Sequence, residues 1–341
     1  MLVVGAAVVG KGVLMLGSAL KLGLGLAMAA SLPAVRRESV VNFEETAQIA
    51  TEAFSARGKV FTADQMRWLY NDSFSHGTTV LAAHADGRKV GQIALIHQFI
   101  DVRGKAEQAV LLTDLFILEK YRSRQVLVDL FAQVLENCQA RGVRFILGMP
   151  NTSARSINDH FLKMIPYLKL DIRASWRLPF LGTGDMVSRQ MKDVDHGDAI
   201  ALFERFDLAP DNAVAWTAQG LFSRLTGTQD YAIHYNDRLL AVSTRRERKG
   251  VDFTLLCALF PARDAAPVAS DVRNAMRAAC DMQKARLGIY IGHDSIMPAL
   301  PGFALPDRLR PSPMTLDLRD LVNPDDSVVF SRYQGVDFDF A

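Results

Sequence analysis

Cysteine is scarce: Cys138, Cys257 and Cys280 are odd in number and far apart. Such a set excludes a disulfide scaffold and points to buried thiols in a reducing compartment. None has a recognisable base-bearing signature beside it, so cysteine nucleophile chemistry is not indicated. Histidine is also sparse, seven residues with no HExxH or HxH spacing, and no metal is expected. Charge of one sign is lacking too. Lys and Arg total 39 against 37 Asp and Glu, a net charge of +2, which excludes the polybasic surface that nucleic acid requires. The densest basic run, Arg245-Arg246-Glu247-Arg248-Lys249, precedes a Gly at a hairpin tip and reads as a solvated turn.

What is present is a globular composition, 49% hydrophobic and 22% charged, over 341 residues. That length exceeds one ordinary domain, so two compact units are expected. Residues 1–34 stand apart. They are almost wholly apolar, rich in Gly, Ala and Leu, with only Lys11 and Lys21 charged before Pro33. A membrane-associated helix, a cleaved export signal with an Ala27-x-Ala29 site, and a start assigned too early all fit them. Lys21 near the middle of the run costs on the order of 3 kcal/mol in a spanning helix, which favours an interfacial placement of residues 1–33 at a membrane surface.

After this segment the periodicities predict helices over 43–54 and 62–69, the second with Thr62 as N-cap and Gln65 three residues on. Two β-rich runs, 79–84 and 90–100, flank the hairpin signal Asp86-Gly87, and a third strand spans 109–118. Apolar residues at three- and four-residue spacing from Val126 to Cys138 predict a helix ended by Gly142, and residues 143–149 read as a strand paired in parallel through this crossover. The same order returns at an offset of roughly 145 residues, with a hairpin at Asn236-Asp237, a strand, a helix over 269–284, Gly288 and a strand. The expected fold is therefore α/β. Two tandem modules, 35–180 and 190–341, each have a mixed antiparallel and parallel sheet flanked by helices, with a boundary between 176 and 190 where Leu181-Gly182-Thr183-Gly184-Asp185 interrupts the pattern.

The junction from Asp114 through Glu119 to Gln125 runs from a strand end to a helix start. Free N–H groups and the helix dipole make an anion site there, and Arg122 and Arg124 add positive charge. A diphosphate fits such a site. Asp114 on this strand is the candidate general base.

The run Ile117-Leu118-Glu119-Lys120-Tyr121-Arg122-Ser123-Arg124-Gln125-Val126-Leu127, then Gly142, an apolar strand and Pro150-Asn151-Thr152-Ser153, resembles the GNAT superfamily of acyl-CoA-dependent N-acyltransferases. The likeness covers residues 35–170 by motif and the second half by order of elements only. It implies that main-chain groups of Phe116, Ile117 and Leu118 pair with the pantetheine arm of an acyl-CoA co-substrate. Main-chain N–H groups of Ser123, Arg124, Gln125, Val126 and Leu127 would cradle the pyrophosphate, and Asn151 would lie beside the thioester or serve as a turn residue after Pro150. The family attacks the thioester directly with a neutral amine, which requires a base and an acid. This chain departs from the pattern by carrying Ser123, Gln125 and Leu127 where the family has glycines. The family's acid, a Tyr in the helix after the Asn, has no clear counterpart, because Asp159-His160-Phe161 falls there, and His160 is the candidate acid.

The equivalent junction of the second half, Phe260-Pro261-Ala262-Arg263-Asp264-Ala265-Ala266-Pro267, lacks the Arg-rich loop, and that half is expected to be structural and to wall the acceptor pocket. In the tail, Asp337 and Asp339 sit at strand spacing on one face of any extended segment, which fits either binding of an acceptor ammonium or a solvated terminal strand. The activity expected is transfer of an acyl group from acyl-CoA to a primary amine of a small molecule, amino sugar or amino lipid, in the cytoplasm or at the inner face of the membrane. A long-chain N-acyl amino acid or ceramide-type synthase and a catalytically silent scaffold of the same fold are the alternatives.

Overall fold

A computed structural model describes residues 33–248, 250–310, 314–324 and 328–338. The apolar run 1–32 and Asp339 lie outside the described residues. Among the described residues no helix is long and apolar enough to cross a membrane.

The first half begins with β1 (Ala34–Arg37), α1 (Phe43–Ala53) and α2 (Ala63–Arg67). Asn42 caps α1 by accepting from the Glu45 N–H, and Thr62 and Gln65 form a reciprocal capping box on α2. One wide turn after α2, Trp68–Asp72, buries Trp68, Leu69 and Tyr70. Then come β2 (Thr78–Ala85), β3 (Arg88–Val102), β4 (Lys105–Ile117), α3 (Arg124–Ala140), β5 (Phe145–Gly148), α4 (Thr152–Leu162), β6 (Ile165–Lys169) and β7 (Asp171–Trp176). The β2–β3 turn sits on Asp86 and Gly87, both at positive φ, and Arg103 and Gly104 repeat that geometry between β3 and β4, which lets these two strands run longer than their apolar cores suggest.

The second half follows with β8 (Val187–Gln190), α5 (His196–Phe203), β9 (Ala213–Val214), α6 (Ala218–Leu225), β10 (Tyr231–Tyr235), β11 (Leu239–Arg248), β12 (Val251–Pro261), α7 (Ala269–Met282), β13 (Leu287–Asp294), β14 (Phe303–Ala304), β15 (Thr315–Asp320) and β16 (Arg332–Gln334). Strands β1 to β4 pair antiparallel and β5 joins β4 in parallel. Strands β8, β10, β11 and β12 do the same, with β13 parallel to β12.

The halves do not form two separate sheets. Strand β15, from the end of the chain, pairs with β5 and with β6, while β7 crosses the other way to pair with β13. Each half thus closes an edge that the other would leave unpaired. Strands β9 and β16 link β3 to β13, and all the described strands join one sheet. Helix α1 covers β3 and β4, α3 packs against β1, β2 and β3, and α7 against β10 to β13.

Candidate active site

Strand β4 contains the decisive irregularity. Ala94 of β3 faces Thr113 and Gln92 faces Phe116, so β4 carries one residue more than its partner between these points. Asp114 lies in this bulge at φ 47°, a left-handed conformation that short polar residues tolerate better than bulky ones. Strand β5 stays with β4 only from Ala109–Phe145 to Leu112–Gly148, so the two parallel strands part where the bulge begins. From Thr113 onward the β5-facing edge of β4 is not taken by β5.

Two cavities lie at this point. One, of about 180 Å³, is lined by Lys59, Val60, Phe61 and Met66 from the α1–α2 region, by Asp114, and by Thr228 and Gln229 of the second half. The other, of only about 20 Å³, lies in the opening between β4 and β5 and is lined by Thr113 and Leu115 of β4, Met149 and Pro150 after β5, and Ala154 and Asn158 of α4. Asp114 therefore borders the first cavity and its two chain neighbours the second.

The Asp114 carboxylate is 9% exposed and accepts a 2.7 Å hydrogen bond from the Tyr70 hydroxyl, which itself accepts one of 2.7 Å from Gln92 Nε2. Burial raises its pKa above the ordinary carboxylate range, partly offset by the Tyr70 hydrogen bond and by the charge of Lys59. Desolvation thus makes a stronger base of it. The three cysteines are made inert by the same effect: burial pushes Cys138 and Cys257 up to about 12 and Cys280 to about 11.

At the start of α3, Ser123 is the N-cap, its hydroxyl accepting from the Val126 N–H at 3.3 Å. Arg122 Nε donates to the Ile117 carbonyl at 3.0 Å, and the Tyr121 hydroxyl donates to Asp86 at 3.1 Å, which fixes the turn between β4 and α3. Ser123, Arg124 and Gln125 are exposed, Val126 is buried and Leu127 half-buried. No residue from 118 to 127 has a positive φ, so the conformation of this loop demands no glycine. Phe116, Ile117 and Leu118 bury their side chains and offer only main chain. Asn151 caps α4, its Oδ1 accepting from the Ala154 N–H at 2.9 Å.

His160 is not brought to Asp114 or to either cavity. It is exposed near the end of α4, its ring edge-on to Phe161. Ala154 and Asn158, four apart, form the face of α4 that meets the opening, and His160 is about 200° further round the helix than Asn158. Asn158 borders that opening and is a residue that a search for acids and bases passes over. Its signal was the four-residue spacing from Ala154.

The tail departs from the extended strand expected. It turns into a 3-10 helix at Gly335–Asp337, and the Asp337 carboxylate points inward, accepting from Trp216 Nε1 and from the Gln334 N–H, each at 2.7 Å. It does not line the acceptor-side cavity, and burial pushes its pKa up to about 6. Among the described residues no group of three or more His, Cys, Asp or Glu is placed to hold a metal.

Residues 34–160, from β1 to α4, match the family model for an acetyltransferase (GNAT) domain. Over these residues the fold is that of a GNAT acetyltransferase domain. Solved structures extend the likeness over both halves. A GCN5-related N-acetyltransferase from Kribbella flavida aligns over 86% of this chain and 72% of its own, at 16% identity and a TM-score of 0.57. A probable N-acyltransferase from Enterococcus faecalis aligns over 85% and 73%, at 11% and 0.56. The N-myristoyltransferase of Saccharomyces cerevisiae aligns over 94% and 85%, at 11% and 0.56. At these identities the shared property is the fold. No curated protein matches the chain.

Proposed function

We propose that this chain is an N-acyltransferase that moves an acyl group from acyl-CoA to the primary amine of a small molecule, with the first half as the catalytic module. The observation that carries the reading is Asp114, a buried carboxylate seated in a strand bulge between two cavities. The edge of β4 at Phe116 to Leu118 would take the pantetheine arm by main-chain hydrogen bonds. The N–H groups of the first turn of α3, with Arg122 and Arg124 beside them, would take the pyrophosphate. The thioester would then lie in the opening between β4 and β5, near Asn151.

The amine would enter the cavity of about 180 Å³ on the other side of β4. Its walls are mixed, Val60, Phe61, Met66, Trp68 and Leu69 beside Lys59, Gln65, Thr228 and Gln229, which suits a compact polar molecule, and Asp114 would receive the proton that the amine gives up as it attacks. A carboxylate with a raised pKa is better matched to that task at neutral pH than an ordinary one. The second half, read as a degenerate second module, contributes a wall: Gln229 lines the cavity and is held by Arg246 Nη1 at 2.6 Å. Asp337 supports the junction between halves and has no part in acceptor binding.

The test follows free thiol released from acetyl-CoA and from long-chain acyl-CoA with a panel of amines, alongside thermal stabilisation by each thioester. Ligand at 100-fold over its dissociation constant adds about 2.7 kcal/mol. Thiol release that needs both thioester and amine supports the reading, and the preferred pair identifies acyl length and acceptor class. Stabilisation without thiol release from any pair would make the chain a silent binding protein.

A further inference from the structure

The second half turns one face of its sheet outward. Helix α7 covers the other face, where a Cβ on Gly288 of β13 would meet Met276 and Cys280. Paired residues share a face, so the strand register identifies what lies opposite α7. Leu287 pairs with Trp176, and Ile289 and Phe303 both pair with Ala174. Leu255 stands beside Ile289, which sets Phe253 and Val251 on the same side. Trp176 is 61% exposed, Val251 53% and Phe303 52%, while Phe253, Leu287 and Ile289 are half-buried. Large apolar residues exposed as a group rather than singly mark an interaction surface.

The charge on this face has one sign. Arg246 pairs with Phe253 and Arg248 with Val251, so both lie on it, whereas Glu247 and Asp252 face each other on the α7 side. Lys284 and Arg286, just ahead of β13, are exposed at the same end of the sheet. Among the described residues Arg248, Lys284 and Arg286 make no ion pair, while Arg245 is tied to Asp252 and Arg177 to Asp281. The face also reaches the acceptor cavity, since Arg246 Nη1 holds Gln229 of the cavity wall.

We infer that this face docks on a bilayer surface with anionic headgroups. Its aromatic and aliphatic side chains would enter the headgroup boundary, where tryptophan is favoured, and Arg248, Lys284 and Arg286 would meet the lipid phosphates. A second copy of the chain fits less well. A symmetric dimer sets the same patch against itself, and the strand positions of this face offer no carboxylate to the arginines. The apolar run 1–32, which its sequence places at a membrane surface, would supply a second attachment. An amine borne by a lipid would then arrive beside the cavity, a consequence that rests on the acyl-transfer reading above; the docking itself does not.

The test mixes the full chain, without thioester or amine, with vesicles of phosphatidylcholine alone or with phosphatidylglycerol. Trp68 and Trp216 are buried, so tryptophan emission follows Trp176. A blue shift with the anionic vesicles only, weakened by added salt, is the result expected. Arg248→Glu should weaken vesicle sedimentation about 30-fold, because it removes one favourable charge at the surface and adds an opposing one, with the melting point of wild type. Should that variant melt lower, Lys284→Glu, at an exposed position of the same end, repeats the measurement. Equal binding to both vesicles, binding unchanged in the charge-reversed chain, or no binding would each overturn the inference. So would self-association of wild type that Trp176→Gln abolishes, which would make the face a contact between copies. Docking is read without turnover, so a chain inactive with every amine leaves it standing, and failed docking leaves acyl transfer to soluble amines standing.

Discussion

In the first half β5 leaves β4 after Leu112, and the opening is a cavity; in the second half β13 is parallel to β12 only as far as Leu256, and the opening is occupied by the protein itself. Gln334 of β16 reaches in, its Oε1 accepting from the Leu259 N–H at 2.6 Å and its Nε2 donating to the Leu259 carbonyl at 3.0 Å. The side chain thus makes, with the edge of β12, the pair of main-chain hydrogen bonds that a pantetheine amide would make with the edge of β4. The helix starts differ in the same sense. Helix α3 has Ser123 as cap and no acid in its first turn, whereas α7 carries Asp271, which accepts from the Val268 N–H and is gripped by Arg238. The Arg238 guanidinium holds the Asp271 carboxyl down to about 2, so an anion is always in place there. One topology has yielded an open strand edge and a filled one, and the difference lies in which groups occupy that edge and the helix start.

The largest expected effect bears on the open side. Asp114→Asn should lower kcat by about 10²–10⁴-fold while thermal stabilisation by acetyl-CoA is retained, as measured by thiol release and melting. In wild type the base form of Asp114 is lost as pH falls through its raised pKa, so the acid limb of the rate profile should lie above that of an ordinary carboxylate. Loss of activity with equal loss of acetyl-CoA binding would move Asp114 from base to structural support.

Next in size is the sealed side. Gln334→Ala leaves both main-chain groups of Leu259 buried and unpaired, and denaturant unfolding should show a loss of about 2–4 kcal/mol. A gain of thioester binding in this variant would break the comparison by showing that only the plug keeps the second opening closed.

A smaller effect concerns the junction. The Asp337 pKa is raised to about 6, so its contribution to stability is full below the ordinary carboxylate value of about 4 and is lost as pH rises through about 6. The melting temperature of wild type should therefore decline over that window more than that of Asp337→Asn. The smallest is Ser123→Ala, which removes the α3 cap at a cost of about 1 kcal/mol and should leave acetyl-CoA affinity intact, because the Val126 N–H becomes available to the diphosphate.

Much of the fold was legible because its signals are local. Asp86-Gly87 fixed a hairpin, Thr62 and Gln65 a helix start, and the Val126 to Cys138 stripe a buried helix face. Strand exchange was not legible, since the pairing of β15 with β5 depends on which edges remain open after both halves fold. Asp114 stood out as a candidate because a carboxylate at a strand end is conspicuous, yet its bulge and its link to Tyr70 are tertiary. The tail misled for a related reason. Asp337 was expected in an extended tail, but a 3-10 turn at Gly335–Asp337 precedes its return to extended chain and its carboxylate is buried against Trp216, while Asp339 lies outside the described residues.

The central claim is that one opening of two can hold a thioester, and titration calorimetry of acetyl-CoA into the full chain tests it most directly. One equivalent bound, in wild type and in Asp114→Asn alike, is the result predicted. Two equivalents would contradict the sealing of the second half by Gln334, and none would contradict the assignment of the first.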